Sequence, residues 1–281
     1  MAEFPEIKKV RLIAEQAGLI LLSTLNQAHE VRTKGFQDVV TEADHRSEAF
    51  ILSQLRSYYP THAILTEESG FHHHSDPEAT IQNSLGSEDI WFIDPLDGTM
   101  NFAHNVPFFC TSIGYAHKGE LVLGVIHDPV RRETFYAAKG KGAFCNDTPI
   151  QVSSPVDIRE ALLATGFNPR ILEHGRDNIP VFAKFMELTA GVRRMGSAAL
   201  EMAYVASGRL DGMWELALHA WDVAAGIVIA REAGALVTDL KGNEACFKPP
   251  FEFLMAVPEM HAKFLEIYQS VPQPRDMHDE N

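Results

Sequence analysis

Over residues 1–60, apolar side chains recur at spacings of three and four. Ile7, Val10, Ala14, Ala17, Leu21 and Leu25 form one stripe, and Pro5 suits the first turn of a helix, so a helix is predicted from there to Asn26. A second is predicted after Thr41 or Asp44, either of which can cap it. Ile51, Leu52, Leu55, Tyr58 and Tyr59 lie on its buried side, and Pro60 ends it. Residues 69–89 turn polar and lose any period around Gly70, three histidines, Pro77 and Gly86, which reads as a mobile loop or a weak hairpin. From Ile90 to about Val152 the pattern changes to short apolar runs at 90–93, 111–115, 121–127, 133–137 and 143–144. Lys118-Gly119, Asp128-Pro129, residues 140–142 and Asn146-Asp147 separate them, so an antiparallel sheet is predicted. The second half alternates: an apolar run at 161–164, helix 181–188, strand 191–195, helix 198–206 closed by Gly208, strand 213–216, helix 223–233 closed by Gly234, and strand 235–238. Such βαβ alternation predicts a second α/β layer set. Residues 271–281, beginning Val271-Pro272-Gln273-Pro274, read as a disordered tail.

Composition narrows the class. The 281 residues are 46% apolar and 22% charged, enough for a sizeable core and incompatible with wholesale disorder. With 24 Lys and Arg against 38 Asp and Glu, the net charge of −14 excludes a general nucleic-acid binder. Cys110, Cys145 and Cys246 are odd in number and widely spaced, which fits neither a disulfide framework nor a thiolate zinc site. Residues 1–6 lack a basic stretch leading into an apolar run, and no segment approaches the roughly 18 apolar residues of a membrane span. A cytoplasmic protein without a membrane partner is expected.

Candidate chemistry concentrates at Asp94-Pro95-Leu96-Asp97-Gly98-Thr99, where a buried strand meets a turn bearing two carboxylates. Two acids at a strand end want a cation, while Gly98 and the amides after Thr99 could face an anion. An exposed Asp-Pro or Asp-Gly turn explains the same spacing. Glu67-Glu68 follows the apolar residues 63–65 at a strand end; Asp222 opens an intensely apolar helix, and Asp44 opens the second helix. Singly, Asp44 and Asp222 read as helix caps.

Together these motifs resemble one family. Val39-Val40-Thr41-Glu42-Ala43-Asp44, Glu67-Glu68, the 94–99 turn with Asn101-Phe102, residues 140–146, and Trp221-Asp222-Val223-Ala224-Ala225-Gly226 with Glu232-Ala233-Gly234 are similar, in order, to the inositol monophosphatases. The likeness runs from the first helix to about residue 257. It implies an α+β fold layered as an αβαβα sandwich, of the inositol monophosphatase and fructose 1,6-bisphosphatase type. An N-terminal lobe at 1–153 would carry most metal ligands, a lobe at 154–270 would complete the site, and the two would form one functional unit, a homodimer in assembly.

The resemblance further implies a phosphomonoesterase, sensitive to lithium, with two or three Mg2+ per site and a water nucleophile. Glu67, Asp94 and the Leu96 carbonyl would hold one ion, and Asp94, Asp97 and Asp222 a second; a third, looser one would sit near Glu67. Glu67, Glu68, Thr99 and Asp44 would serve the water. Asp97, Gly98, Thr99, Gly196, Ser197, Ala198, Glu215 and Asp222 match positions that touch phosphate or polyol hydroxyls. Lys34 matches a basic residue near the family's metal site, although the stretch from it to Asp44 is one residue short of the pattern. His219 matches a site-proximal position and also reads as a structural histidine.

Myo-inositol monophosphate is the expected substrate, because Asn101-Phe102 stands where nucleotide-directed relatives carry Lys-Glu-Phe-like text. Fructose 1,6-bisphosphate or 3′-phosphoadenosine compounds are the chemical rivals. A partnership with the transcription machinery, as some bacterial members have acquired, is the alternative of another class. Other motifs carry less. Consecutive side chains of His72-His73-His74 diverge in an extended loop. Gly140-Lys141-Gly142 lacks the Ser or Thr of a nucleotide loop and reads as a hairpin turn, and Arg131-Arg132 and Arg193-Arg194 read as solvated strand ends.

Overall fold

The computed structural model describes residues 5–25, 32–35, 38–40, 42–72, 86–155, 157–167 and 177–272, with only the backbone described at 32–35, 38–40 and 71–72. The tail at 273–281, the polar stretch at 73–85 and the side chains of Lys34 and His72 therefore lie outside the described residues.

Strand β5 (Asp89–Asp97) organises everything around it. Its apolar run has the two-residue period of a strand buried on both faces. Ile90 and Phe92 enter one hydrophobic cluster, while Trp91 and Ile93 enter another. On the Trp91 side lie α1 (Ile7–Thr24) and α2 (Glu42–Tyr58), which contribute Val10, Ile13, Ala14, Ala17, Ile51, Leu52 and Leu55. On the other side lie α5 (Ala198–Ala206) and α6 (Ala220–Glu232).

The sheet containing β5 also holds β3 (Ala63–Thr66), β4 (Gly70–His72), β6 (Cys110–His117), β7 (Glu120–Asp128), β8 (Glu133–Ala138), β9 (Ala143–Cys145) and β10 (Thr148–Ile150), in the order β10-β9-β8-β7-β6-β5-β3-β4. All its pairs are antiparallel except β3 with β5. Ahead of it, β1 (Arg32–Gly35) and β2 (Asp38–Val40) pair as a small hairpin, and α3 (Thr99–Ala103) follows β5.

A second sheet runs β12-β11-β13-β15-β14, from β11 (Leu162–Thr165), β12 (Gly191–Arg193), β13 (Gly212–Glu215), β14 (Leu236–Thr238) and β15 (Phe253–Ala256). β11 is parallel to both neighbours, and β15 is antiparallel to β13 and β14. Alternation again divides the faces: Met213 and Met255 turn toward α5 and α6, whereas Trp214 and Leu254 turn toward α4 (Ile179–Leu188) and α7 (Pro258–Ser270). The layers are thus α1/α2, sheet, α5/α6, sheet, α4/α7, an α+β fold stacked as αβαβα.

The middle layer explains why α6 is apolar on every side: it is covered by both sheets and by α5. Glycines make room for it. A Cβ at Gly124 would lie 2.4 Å from the Ala225 carbonyl oxygen, and one at Gly226 would lie 2.4 Å from Met202 Sδ. The first lets the second turn of α6 lie against β7, and the second lets the same turn lie against α5.

Several expectations shift. Tyr58 is 47% exposed. Tyr59 alone turns inward, its ring 5.2 Å from His62 and 5.3 Å from Trp91. Asp44 and Asp222 lie inside the first turns of their helices rather than at the caps; His219 precedes α6. Of the two readings offered for the polar stretch, the hairpin holds at its start, where β4 pairs with β3. β15 and α7 were not predicted, since Glu252 interrupts the short apolar run at 251–257 and the stripe of α7, Met260, Phe264 and Tyr268, is sparse. Gly140-Lys141-Gly142 is a hairpin turn, as expected. Its three amides donate to the carboxylate of Glu232 at 2.8, 3.1 and 2.8 Å, so this small anion cradle is filled by the chain's own side chain.

Candidate active site

The end of β5 is bent by its sequence. Pro95 has no amide to donate, and the ladder slips between Asp94, opposite Ser112, and Asp97, opposite Cys110. The freed Pro95 carbonyl accepts from Ser47 and Thr111 hydroxyls, each at 3.1 Å. Asp94 Oδ1 accepts from the Leu96 amide at 3.0 Å. Gly98, at φ +94°, turns the chain into α3. A Cβ there would press on Phe108 O at 3.0 Å and on Gly196 O at 3.3 Å. Thr99 Oγ1 then stands 3.0 Å from the Leu96 carbonyl and 3.2 Å from Asp44 Oδ1.

Around this bend the chain gathers acids from α2, the end of β3, β5, β13 and α6. Because β3 and β5 are parallel neighbours, Glu67 comes beside Asp94 and is hydrogen-bonded to it. Burial pushes the Asp94 carboxyl well above the usual range, and Glu67, Asp97 and Asp222 push it further. Asp97 Oδ2 accepts from Ser197 Oγ at 2.6 Å and the Ala199 amide at 2.8 Å. Burial nevertheless raises Asp97 to about 7, with Asp222 adding to the rise and those donors opposing it. Asp222 Oδ2 accepts from the His219 amide at 2.8 Å, and the His219 ring stacks on Trp221 with centroids 4.6 Å apart.

Glu215, at the end of β13, is buried. Burial raises its carboxyl, as do Glu201, Asp222 and Asp97, while Arg194 opposes them. Gly166 leaves room for it, since a Cβ there would lie 2.5 Å from Glu215 Oε1. Gly196, Ser197 and Ala198 reach the same place as the turn entering α5. The structure thus brings together Asp44, Glu67, Asp94, Leu96, Asp97, Gly98, Thr99, Gly196, Ser197, Ala198, Glu215 and Asp222. For Glu68 it shows an amide bonded to Glu48 Oε2 at 3.1 Å.

The donor set is made of hard oxygens, and its buried carboxyls raise one another, as acids do where a cation belongs. Among the described residues, however, no three His, Cys, Asp or Glu side chains stand in a ready ligand geometry. Asp97 and Asp222 each spend one oxygen on hydrogen bonds within the protein. By donor chemistry, the residues fit a magnesium-like ion.

Two buried acids escaped the sequence analysis. Glu48 accepts from Thr66 Oγ1 at 2.5 Å, from the Glu68 amide and from Ser69 Oγ, so one α2 side chain secures the turn bearing Glu67 and Glu68. The signal was present: Asp44, Ser47 and Glu48 continue the Ile51-Leu52-Leu55 stripe as polar residues on a core-facing surface. Glu48→Ala is expected to cost about 3 kcal/mol in urea unfolding, because three donors lose their acceptor, and to lower activity through the displaced turn. Glu201, the second, lies buried in the first turn of α5, and burial raises its carboxyl to about 8.

The fold is layered α+β with acids gathered at the end of a bent strand, and the relatives give its class. A model of the inositol monophosphatase family matches residues 6–273, and the chain belongs to that family. It is 42% identical over 237 residues to the Nus factor SuhB of Pseudomonas aeruginosa, covering 82% of this chain and 83% of that protein. It is 44% identical over 226 residues to the inositol-1-monophosphatase of a Synechocystis species, covering 79% and 74%. The crystal structure of extragenic suppressor protein suhB from Bartonella henselae superposes with a TM-score of 0.83 at 34% identity, covering 94% of this chain and 98% of that one. Members of the family are in general metal-dependent phosphatases.

Proposed function

We propose that the chain is a magnesium-dependent phosphomonoesterase acting on myo-inositol monophosphate. The cluster of buried Asp94 with half-buried Glu67, Asp97 and Asp222 beside the Thr99–Asp44 pair carries this reading. Glu67, Asp94 and the Leu96 carbonyl would hold one ion, and Asp94, Asp97 and Asp222 another, with a third, looser one near Glu67. When bound, these ions supply positive charge that acidifies water and neutralises phosphate oxygens.

The chain's own residues do the rest. The Thr99 hydroxyl, within reach of Asp44, accepts a proton from the attacking water as it gives its own to that carboxylate. Backbone N–H groups at Gly98–Thr99 and Gly196–Ala198 orient phosphate oxygens, and Glu215 and Asp222 accept from polyol hydroxyls. No covalent intermediate is required. The two halves, 1–153 and 154–270, act as one unit, cytoplasmic and homodimeric.

Phosphate release from myo-inositol 1-phosphate, fructose 1,6-bisphosphate and 3′-phosphoadenosine 5′-phosphate, with and without magnesium, tests the reading. The highest kcat/KM is expected on the first, with none in chelator and with inhibition by lithium relative to sodium. A higher kcat/KM on either rival would reassign the substrate. The SuhB relatives favour a second role in a transcription complex. At −14 net charge such a role would run through protein rather than nucleic acid, and a pull-down with transcription factors tests it.

A further inference from the structure

The turn entering α5 is gripped from three directions. Glu201, four residues past the helix cap Ser197, reaches back so that Oε1 accepts from the Met195 amide at 2.8 Å and the Gly196 amide at 3.1 Å. From the opposite side Asn101 Nδ2, on α3, donates to the Met195 carbonyl at 2.7 Å and to the Phe108 carbonyl at 2.8 Å. Asp97 takes the Ser197 hydroxyl and the Ala199 amide. Met195 is therefore fixed at both its N–H and its C=O. Gly196, at φ +86°, is set with its carbonyl against Gly98, beside which no Cβ would fit without a shift. Each grip starts from a different element, so the turn's place relative to the 97–99 bend depends on all of them.

Glu201 is the costly member. It is 1% exposed, its Oε2 is buried with no hydrogen-bond partner among the described residues, and the like charge of Asp97 lies near. A side chain wanted only to fill α5's buried face would be apolar there, as Ala199, Leu200, Met202 and Ala203 are.

We propose that Glu201 is a positioning residue: through the Met195 and Gly196 amides, and together with Asn101, it fixes where Gly196, Ser197 and Ala198 meet the substrate. This rests on the phosphomonoesterase reading above and adds to it a determinant of substrate affinity that itself touches neither substrate nor metal. An acceptor is what the role demands, and charge is incidental. Glu201→Gln, which keeps an oxygen for both amides, is therefore expected to hold KM for myo-inositol 1-phosphate within twofold of wild type. Glu201→Leu, which fills the space and accepts nothing, is expected to raise KM at least tenfold with kcat within threefold.

Hydrogen exchange of the segment 194–199 gives a readout independent of turnover, expected to be slow in wild type and Gln and fast in Leu. An unchanged KM in the Leu variant, an equal loss in Gln and Leu, or a fall in kcat alone would overturn the proposal, as would exchange that is alike in wild type and Leu. If the Leu variant does not fold, Glu201→Asp, which withdraws the oxygen by one methylene, is held to the same criteria. A wild-type protein that releases phosphate from no substrate would instead sink the phosphomonoesterase reading, and the exchange comparison would then decide the clamp alone.

Discussion

Asp94→Asn is expected to cut phosphate release by about a thousandfold or more while leaving the fold intact. Asp94 is the acid on which Glu67, Asp97 and Asp222 all act, and it is the residue proposed to serve both ion sites. A neutral amide keeps an oxygen to accept from the Leu96 amide, so the bend at Pro95 survives, but it cannot balance two cations. In chelator the variant should be more stable than wild type. A carboxyl raised in the folded state stays protonated there after it has ionised in the unfolded chain, so stability falls as pH climbs from its ordinary value toward its folded one. For Asp97 that window runs from about 4 to about 7. Asp94 is raised still more by burial and its neighbours, so replacing its carboxyl removes its own share and should flatten the decline, which melting curves in chelator between pH 5 and 8 would read. A variant that retains a tenth of wild-type turnover would remove Asp94 from the centre of the site.

Magnesium added to chelated wild-type protein is expected to raise the melting temperature, because a ligand that binds only the folded chain stabilises it by mass action. At a hundred times its dissociation constant, one ion contributes about 2.7 kcal/mol. The rise should grow from pH 5 to 8, since the acids must lose their protons to serve as ligands. Burial and mutual repulsion hold those protons on Asp94 and Asp97 at lower pH. Calorimetric scans with matched sodium chloride controls separate this from ionic strength. Superimposable scans with and without magnesium would reject the cluster as a cation site.

Legibility in the sequence followed the source of each signal. The acids of the 94–99 turn stood out because a buried strand, a proline and a glycine bracket them within a few residues. Glu215 was placed through the resemblance alone, since periodicity leaves a strand residue after Trp214 free to face solvent or interior, and the structure buries it beside the exit of β11 at Gly166. Asp44 and Asp222 read as caps because one carboxylate in a helix's first turn has the same local pattern whether it serves the helix or a site. Glu48 and Glu201 were missed although both interrupt apolar stripes, since a polar residue on such a face acquires meaning only when its partners, at 66–69 and 195–196, are in place.

By itself the sequence determined most of the elements and the face each one buries. Period 3.6 in α1 and α2 and period 2 in β5 depend on which side chains lie on one side of a local backbone. The tertiary structure decided what adjacency alone can decide. It put β3 beside β5 in parallel so that Glu67 meets Asp94, seated α6 between two sheets so that Asp222 faces Asp97, and closed the 195–198 turn against Gly98. Those meetings join residues from 27 to more than 100 positions apart. Hydrophobic periodicity is blind to such distances, because the free energy that brings these groups together lies in the packing of whole layers, while the acids themselves oppose it.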